Sequence, residues 1–170
     1  MTMIPQNALD FLPGRITLGP GKTAEYAALE RFHYLAKRPA TWAAIVVARY
    51  LPDGAGQPAR VIGIAVLSYP SAVHRARHRT FGLGAMSYGQ RLRWANANLR
   101  TISRVVVHPQ FRSLGLTRPL IEAICARCTT PLIESTARMG RAHPMFERAG
   151  FTRVDPPDDD EPLYYWRRLH

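Results

Sequence analysis

Between Thr101 and Arg127 the sequence changes its period once, and that change limits the fold more than any other feature. Thr101–Val107 is rich in β-branched residues and stops at His108-Pro109; past Gly115, apolar positions recur at helical spacing through Leu116–Arg127. A second short apolar run, Pro131–Glu134, follows at once. Strand, helix, strand in that order predicts a β-α-β unit with parallel strands. Upstream, Trp42–Tyr50 and Arg60–Tyr69 are two valine- and isoleucine-rich runs separated by Pro52-Asp53-Gly54-Ala55-Gly56, the pattern of an antiparallel hairpin. A mixed α/β (α+β) sheet, antiparallel first and parallel later, follows.

The remaining elements fit around it. Arg15–Leu18 reads as a short strand, and from Gly21 the positions Tyr26, Leu29, Phe32, His33 and Leu35 predict a first helix. After a basic, glycine-containing connection, Gln90–Leu99 predicts another helix. Arg141–Ala149 predicts a short helix closed by Gly150, and Phe151–Val154 with Leu163–Arg167 a final hairpin, its strands joined by the acidic turn Asp155–Pro162. A length of 170 residues suits one domain. The longest apolar runs fall far short of the roughly 20 residues a membrane span needs, and Met1–Phe11 lacks the pattern of a secretory signal, so a cytoplasmic location is expected. Cys125 and Cys128 form a lone CxxC within helical apolar spacing, which points to core thiols rather than a metal site.

Charge narrows the partners. Twenty-three basic residues stand against twelve acidic ones, a net +11, and Lys22 and Lys37 are the only lysines. Arginine matches phosphate bidentately where lysine offers a point charge, although a GC-rich genome would also favour arginine codons. From Arg60 to Cys128 the one acid is Glu122, while Arg75, Arg77, Arg79, Arg91 and Arg93 crowd the same stretch. Nucleic acid, or a phosphate-rich cofactor together with nucleic acid, is therefore an expected partner, with those five arginines gripping phosphates; a merely solvated basic surface is the alternative.

The strand-to-helix junction carries the chemistry. The first N–H groups of a helix lack internal partners, the helix dipole adds partial positive charge there, and a glycine lets an anion approach the backbone. Arg112-x-x-Gly115-x-Thr117 after Val105-Val106-Val107 resembles the pyrophosphate loop of the Gcn5-related N-acetyltransferase (GNAT) superfamily, with threonine in place of the last small residue. Ala149-Gly150-Phe151, after the Ala142–Arg148 stretch, is similar to a later motif of the same superfamily. The resemblance implies a twisted sheet splayed between its fourth and fifth strands, here Thr101–Val107 and Pro131–Glu134. It implies acetyl-CoA or another acyl-CoA as cofactor, its pantetheine along Val105 to Val107 and its diphosphate over Arg112, Ser113, Leu114, Gly115, Leu116 and Thr117. Phe146 departs from the pattern: many members carry there a tyrosine that protonates the leaving thiolate.

Within the superfamily, His33-Tyr34 with Lys37-Arg38-Pro39 resembles the Mom-like branch, related to a bacteriophage Mu protein that modifies adenine in DNA; Ser103-Arg104 and Glu134 are similar to that branch too. The resemblance implies His33, Tyr34, Lys37, Arg38, Ser103, Arg104 and Glu134 as catalytic residues, and His33 with Glu134 as a metal-or-base pair, iron being the metal implied. Tyr34, Tyr88 or Trp94 are expected to stack on an extruded base, with a core role for Trp94 favoured by its helix. Two alternatives stay open: a conventional N-acetyltransferase for a small amine or a protein terminus, and a binding module that has kept the fold without turnover.

Overall fold

The computed structural model describes residues 2–3, 14–33, 38–53, 56–158 and 161–169. Strands β1 (Thr2–Met3), β2 (Gly14–Pro20), β3 (Ala44–Pro52), β4 (Arg60–Ser68), β5 (Leu99–Val107), β6 (Leu132–Ala137), β7 (Thr152–Val154) and β8 (Leu163–Arg168) form one sheet in the order β1-β2-β3-β4-β5-β6-β8-β7. Every neighbouring pair is antiparallel except β5–β6. The two-residue β1 makes the predicted fourth and fifth strands β5 and β6.

The parallel pair is short. β5 and β6 are in register from Leu99↔Leu132 to Ile102↔Ser135, and there the pairing ends. Beyond it β5 stays on β4, from Arg104↔Val66 to Gly63↔Val107, while β6 stays on β8. The strands part like a fork whose crotch is the Ile102–Ser135 step, where Ser135 Oγ donates to the Ile102 carbonyl at 2.9 Å.

Helices cover both faces of the sheet. On one side α4 (Thr117–Cys125) buries Leu120, Ile121 and Ile124, each fully, against Ile62, Val107 and Ile133. Each such side chain contributes about 1.5–3 kcal/mol over an exposed one. On the other side α1 (Thr23–Tyr26) and the 3-10 turn Glu30–Phe32 place Tyr26 and Leu29 on Ile64, Val66 and Val106. Alternation along the strands sends Ile133 and Tyr165 towards the α4 side and Glu134 and Tyr164 to the opposite side, where α2 (Arg75–Thr80) and α3 (Tyr88–Asn98) lie.

Three predicted elements differ. The first helix is a single turn followed by the 3-10 turn, and the predicted continuation to Leu35 runs into residues outside those described. The basic run expected as connection contains a helix, α2, capped by His74, whose Nδ1 accepts from the Arg77 N–H at 3.4 Å. The helix predicted over Arg141–Ala149 is two 3-10 turns, Arg138–Arg141 and Glu147–Ala149. Pro144 lies between them and removes a donor that a continuous helix would need. Gly150 closes the second turn at φ 78°, in the left-handed region glycine enters freely.

Candidate functional site: a forked strand edge above a polar cavity

Past the fork, the edge of β5 facing away from β4 is met by no strand among the described residues. His108 N donates to the Ile62 carbonyl at 2.8 Å, so by the alternation of an antiparallel ladder Val106 faces β4 while Val105 and Val107 turn their N–H and C=O groups into the gap. Two carbonyls on this edge already accept from arginines: Ser103 O from Arg104 Nη1 at 2.6 Å and Val107 O from Arg112 Nε at 3.3 Å. The Val105 amide and carbonyl and the Val107 N–H stay directed at the gap, a pattern that suits an extended chain bearing amides.

The mouth of the fork is built for an anion. Pro109–Leu114 winds as a 3-10 turn, Gly115 takes φ 68° and ψ 17°, and α4 begins at Thr117 with no side-chain cap on its N-terminus. A Cβ added at Gly115 would meet nothing within 4 Å, so the space above this residue is open. Arg112 and Ser113 are exposed beside it, and Leu116 anchors the loop as a buried side chain. Near the loop, His108 is kept below the usual histidine range first by burial and then by the charges of Arg60, Arg31 and Arg112. Positive charge is concentrated around this end of the strand.

A cavity of about 280 Å³ opens at the crotch, lined by Arg38, Thr41, Ser68, Tyr69, Ser103 and Arg104 among others. Glu134 and Arg77 line its buried end and are each 1% exposed. Arg77 holds the carboxylate bidentately, Nε to Oε2 at 2.8 Å and Nη2 to Oε1 at 2.5 Å, and its Nη1 donates to the Ser71 carbonyl at 2.5 Å. Thr101 Oγ1 donates to Oε1 at 2.7 Å and Tyr164 OH to Oε2 at 2.9 Å. Burial alone would raise the Glu134 carboxyl; the Arg77 hydrogen bonds and charge outweigh it and hold the group below the usual carboxylate range. Burial and the same carboxylate push the Tyr164 hydroxyl far up.

These contacts correct two expectations. Glu134 is no free base or metal ligand, because four donors occupy its oxygens, and His33, half-buried at the end of the 3-10 turn, is not among the residues lining its cavity. No group of three His, Cys, Asp or Glu among the described residues could hold a metal ion, so the donor set does not fit iron. Arg77 cannot grip DNA, since its guanidinium is spent inside the protein. Of the other expected contacts, Arg91 donates to the Leu83 and Gly84 carbonyls, Arg75 and Arg79 approach Glu161 at 3.8 and 4.0 Å, and Arg93 is exposed.

Of the remaining expected catalytic residues, Arg38, Ser103 and Arg104 come together in the cavity, while Tyr34 and Lys37 lie outside the described residues. Arg38 also pairs with Glu30 at 2.6 Å. Ser68 Oγ donates to the Thr41 carbonyl at 2.6 Å and meets Ser103 Oγ at 2.7 Å, so with its one proton so used it accepts from Ser103. His74 lines the wall with its ring 5.1 Å from that of Tyr164; burial lowers its pKa, and with Nδ1 accepting from Arg77 N the neutral ring carries its proton on Nε2. Phe146 is buried against Phe151 and Tyr165 and offers no proton to a thiolate. Cys125 and Cys128 are buried, and burial pushes the Cys125 thiol up to about 11, as core thiols behave. Trp94, half-buried, packs on Phe81 at 5.3 Å, and Tyr88 is 65% exposed.

Sequence reasoning missed Thr41, Ser68, Tyr69, His74, Thr101 and Tyr164. A signal existed for one of them: Ser68 closes an apolar strand with a small polar residue, and such a break in pattern marks a place where a side chain is needed for something other than packing.

A family profile described as an acetyltransferase (GNAT) domain matches residues 68–163, more than half of the chain. The chain belongs to the GNAT acetyltransferase family. Among solved structures, Arabidopsis thaliana NAA60 in complex with acetyl-CoA is similar at 14% identity and TM-score 0.59, covering 89% of this chain and 96% of that one. Ard1 from Thermoplasma volcanium is similar at 15% identity and TM-score 0.57, covering 91% and 98%. A polyamine N-acetyltransferase of Drosophila melanogaster is similar at 15% identity and TM-score 0.52, covering 91% and 100%. At these identities the likeness shows the GNAT fold. No curated protein sequence matches.

Proposed function

We propose that this GNAT chain is an acyl-CoA-dependent N-acyltransferase that receives the coenzyme along the gap-facing edge of β5 and the acceptor amine from the cavity beneath it. The observation that carries the reading is the end of β5–β6 pairing at Ile102–Ser135, which leaves Val105 and Val107 backbone groups for a pantetheine arm. Arg112 and the N–H groups from Ser113 to Thr117 would hold the diphosphate. Bound there, an acyl-CoA supplies a thioester carbonyl as electrophile.

In the transfer a C–N bond forms and the C–S bond breaks, the amine loses a proton and the coenzyme sulfur gains one. Among the described residues Glu134 is the only carboxylate on the cavity wall, and it is locked. An amine that is already neutral near pH 7 needs no base before it attacks, and the proton it sheds on forming the C–N bond matches the one the departing sulfur takes up, which favours weakly basic amines as acceptors. Ser103 and the His74 Nε2–H are positioned to hydrogen-bond an acceptor.

A finer reading keeps a nucleic acid as acceptor, with the exocyclic amine of DNA adenine reacting as in the Mom-like branch. It is supported by the net charge of +11 and by the exposed Arg75, Arg79 and Arg93, and it excludes Arg77. Thermal shift with acetyl-CoA tests the transferase reading: a rise in Tm is expected, and none at millimolar ligand overturns it. Mass spectrometry of nucleosides from co-expressed DNA tests the finer one, which unmodified adenine alongside an active acyltransferase would eliminate.

A further inference from the structure

The hydroxyl protons of the cavity wall dictate how an amine must lie against it. Four hydroxyl residues of the wall are not exposed, and each commits its one proton to the protein: Ser68 to the Thr41 carbonyl at 2.6 Å, Thr101 to Glu134 Oε1 at 2.7 Å, Ser135 to the Ile102 carbonyl at 2.9 Å and Ser103 to Ser68 Oγ at 2.7 Å. The last direction is forced, because Ser68 has spent its own proton on Thr41 and so short a contact between two oxygens needs one. The Val66 carbonyl, 3.4 Å from Ser103 Oγ, is the poorer acceptor for it. A hydroxyl whose proton points into the protein offers a ligand its lone pairs alone. Ser103 is also set apart from the ladder: the β4–β5 register passes from Leu67↔Ile102 to Val66↔Arg104, so Ser103 is the extra residue of a bulge, where a strand re-aims a side chain. It lies just before Val105, at the start of the gap-facing edge.

We propose that Ser103 takes an N–H of the attacking amine, that Ser68 makes it an obligate acceptor by holding its proton away from the cavity, and that the site thereby selects primary amines over secondary amines and alcohols. To attack a thioester carbonyl an amine must turn its lone pair towards it, so its N–H bonds have to be met by acceptors. A primary amine sheds one proton as the C–N bond forms and the C–S bond breaks, the sulfur taking up one in exchange. Its second N–H stays on Ser103 from the bound amine through to the product amide. A secondary amine or an alcohol has a single N–H or O–H, the one it must shed, so its bond to Ser103 fails during the transfer. The inference rests on the transferase reading above and deepens it.

The test uses the full chain with acetyl-CoA, following release of the free coenzyme thiol, on weakly basic primary amines and their N-methyl counterparts: aniline against N-methylaniline, and glycinamide against sarcosinamide, with glycolamide as the alcohol. Expected is a kcat/KM higher for each primary member by about twofold to tenfold, the worth of one hydrogen bond between neutral groups, with the alcohol at background. Ser103→Ala should lower the primary members by the same factor and flatten the preference. Ser68→Ala leaves the bulk of Ser103 in place and frees its proton, so it should flatten the preference too, which relief of crowding would not do; Ser68→Thr, which keeps a hydroxyl, should restore it. The double variant should be no worse than Ser103→Ala, because Ser68 acts through Ser103. Where a Ser68 variant does not fold, Ser103→Ala, at a half-buried position, supplies the comparison. Equal use of primary and secondary members, a preference untouched in folded Ser103→Ala, or losses that add in the double variant overturn the proposal. Where no acceptor turns over, NMR titration of aniline and N,N-dimethylaniline into the protein with CoA decides: tighter aniline binding that Ser103→Ala abolishes is in support, and equality, the reverse or a difference that survives Ser103→Ala is against. Absence of any acetyl-CoA effect on Tm would instead sink the transferase reading itself.

Discussion

Replacing Arg77 with methionine asks how much the ion pair beneath the fork supports the fold. The change removes two of the four hydrogen bonds to Glu134, one on each oxygen, and leaves a carboxylate that is 1% exposed facing only the Thr101 and Tyr164 hydroxyls. An uncompensated buried charge of this kind costs about 3–5 kcal/mol, against well under about 1 kcal/mol for an exposed pair such as Arg118–Glu122. At roughly 2–4 °C per kcal/mol for a chain of this size, Tm should fall by roughly 6–20 °C. The loss should be non-additive: Arg77→Met with Glu134→Leu removes both charges and should recover most of the stability. Acid should narrow the gap as well. In the native protein the Glu134 pKa is depressed, so its stabilisation is complete above the ordinary carboxylate value of about 4.5 and is lost as pH falls below it. In the variant, burial raises the same group, and protonating it relieves the penalty. Urea denaturation at pH 7 and pH 4, with the slope checked for constancy, measures all of this. A single variant within about 1 kcal/mol of the parent, or a double variant as unstable as the sum of the singles, would refute the reasoning.

Gly115→Ala forces a Cβ at φ 68°, at a cost of about 1–2 kcal/mol, and should weaken CoA binding more than it lowers Tm; calorimetry of the variant checks this. Arg112→Ala should lower CoA affinity by about tenfold to a hundredfold while leaving binding of pantetheine unchanged, since that fragment carries no diphosphate. His74 has its pKa lowered by burial, so the unfolded chain takes up the proton first; its stabilising effect is full above about 6.5 and declines as pH falls, a slope that should shrink in His74→Gln to the part His108 contributes in the same direction when unfolding is followed between pH 7.5 and 5.5. Leu120→Ala, at a fully buried position on α4, should cost about 2–5 kcal/mol in a denaturant titration.

Much of the architecture was legible because it rests on period. The valine-rich hairpin, the strand at Thr101–Val107 and the amphipathic α4 each repeat one spacing long enough to define a face, and the loop Arg112–Thr117 carries its glycine where the backbone turns left-handed. What stayed hidden depends on side chains meeting across distance. Arg77 looks like one more surface arginine in a basic run; only the fold shows that α2 turns it inward onto a residue 57 positions away. Glu134 looks like a base at a strand end until its four donors are in view, and three of them come from separate elements, α2, β5 and β8. The polar wall of the cavity is likewise assembled from strand ends and connections that no local pattern links.

The five residues of β5 beyond the crotch are a strand with one side met by no other strand among the described residues. A bare strand border of that kind is a template for another chain, so the vacant fork is also the surface along which two copies would stick together. A ligand lying there acts as a surrogate neighbour, and its departure should cost colloidal stability as well as heat resistance.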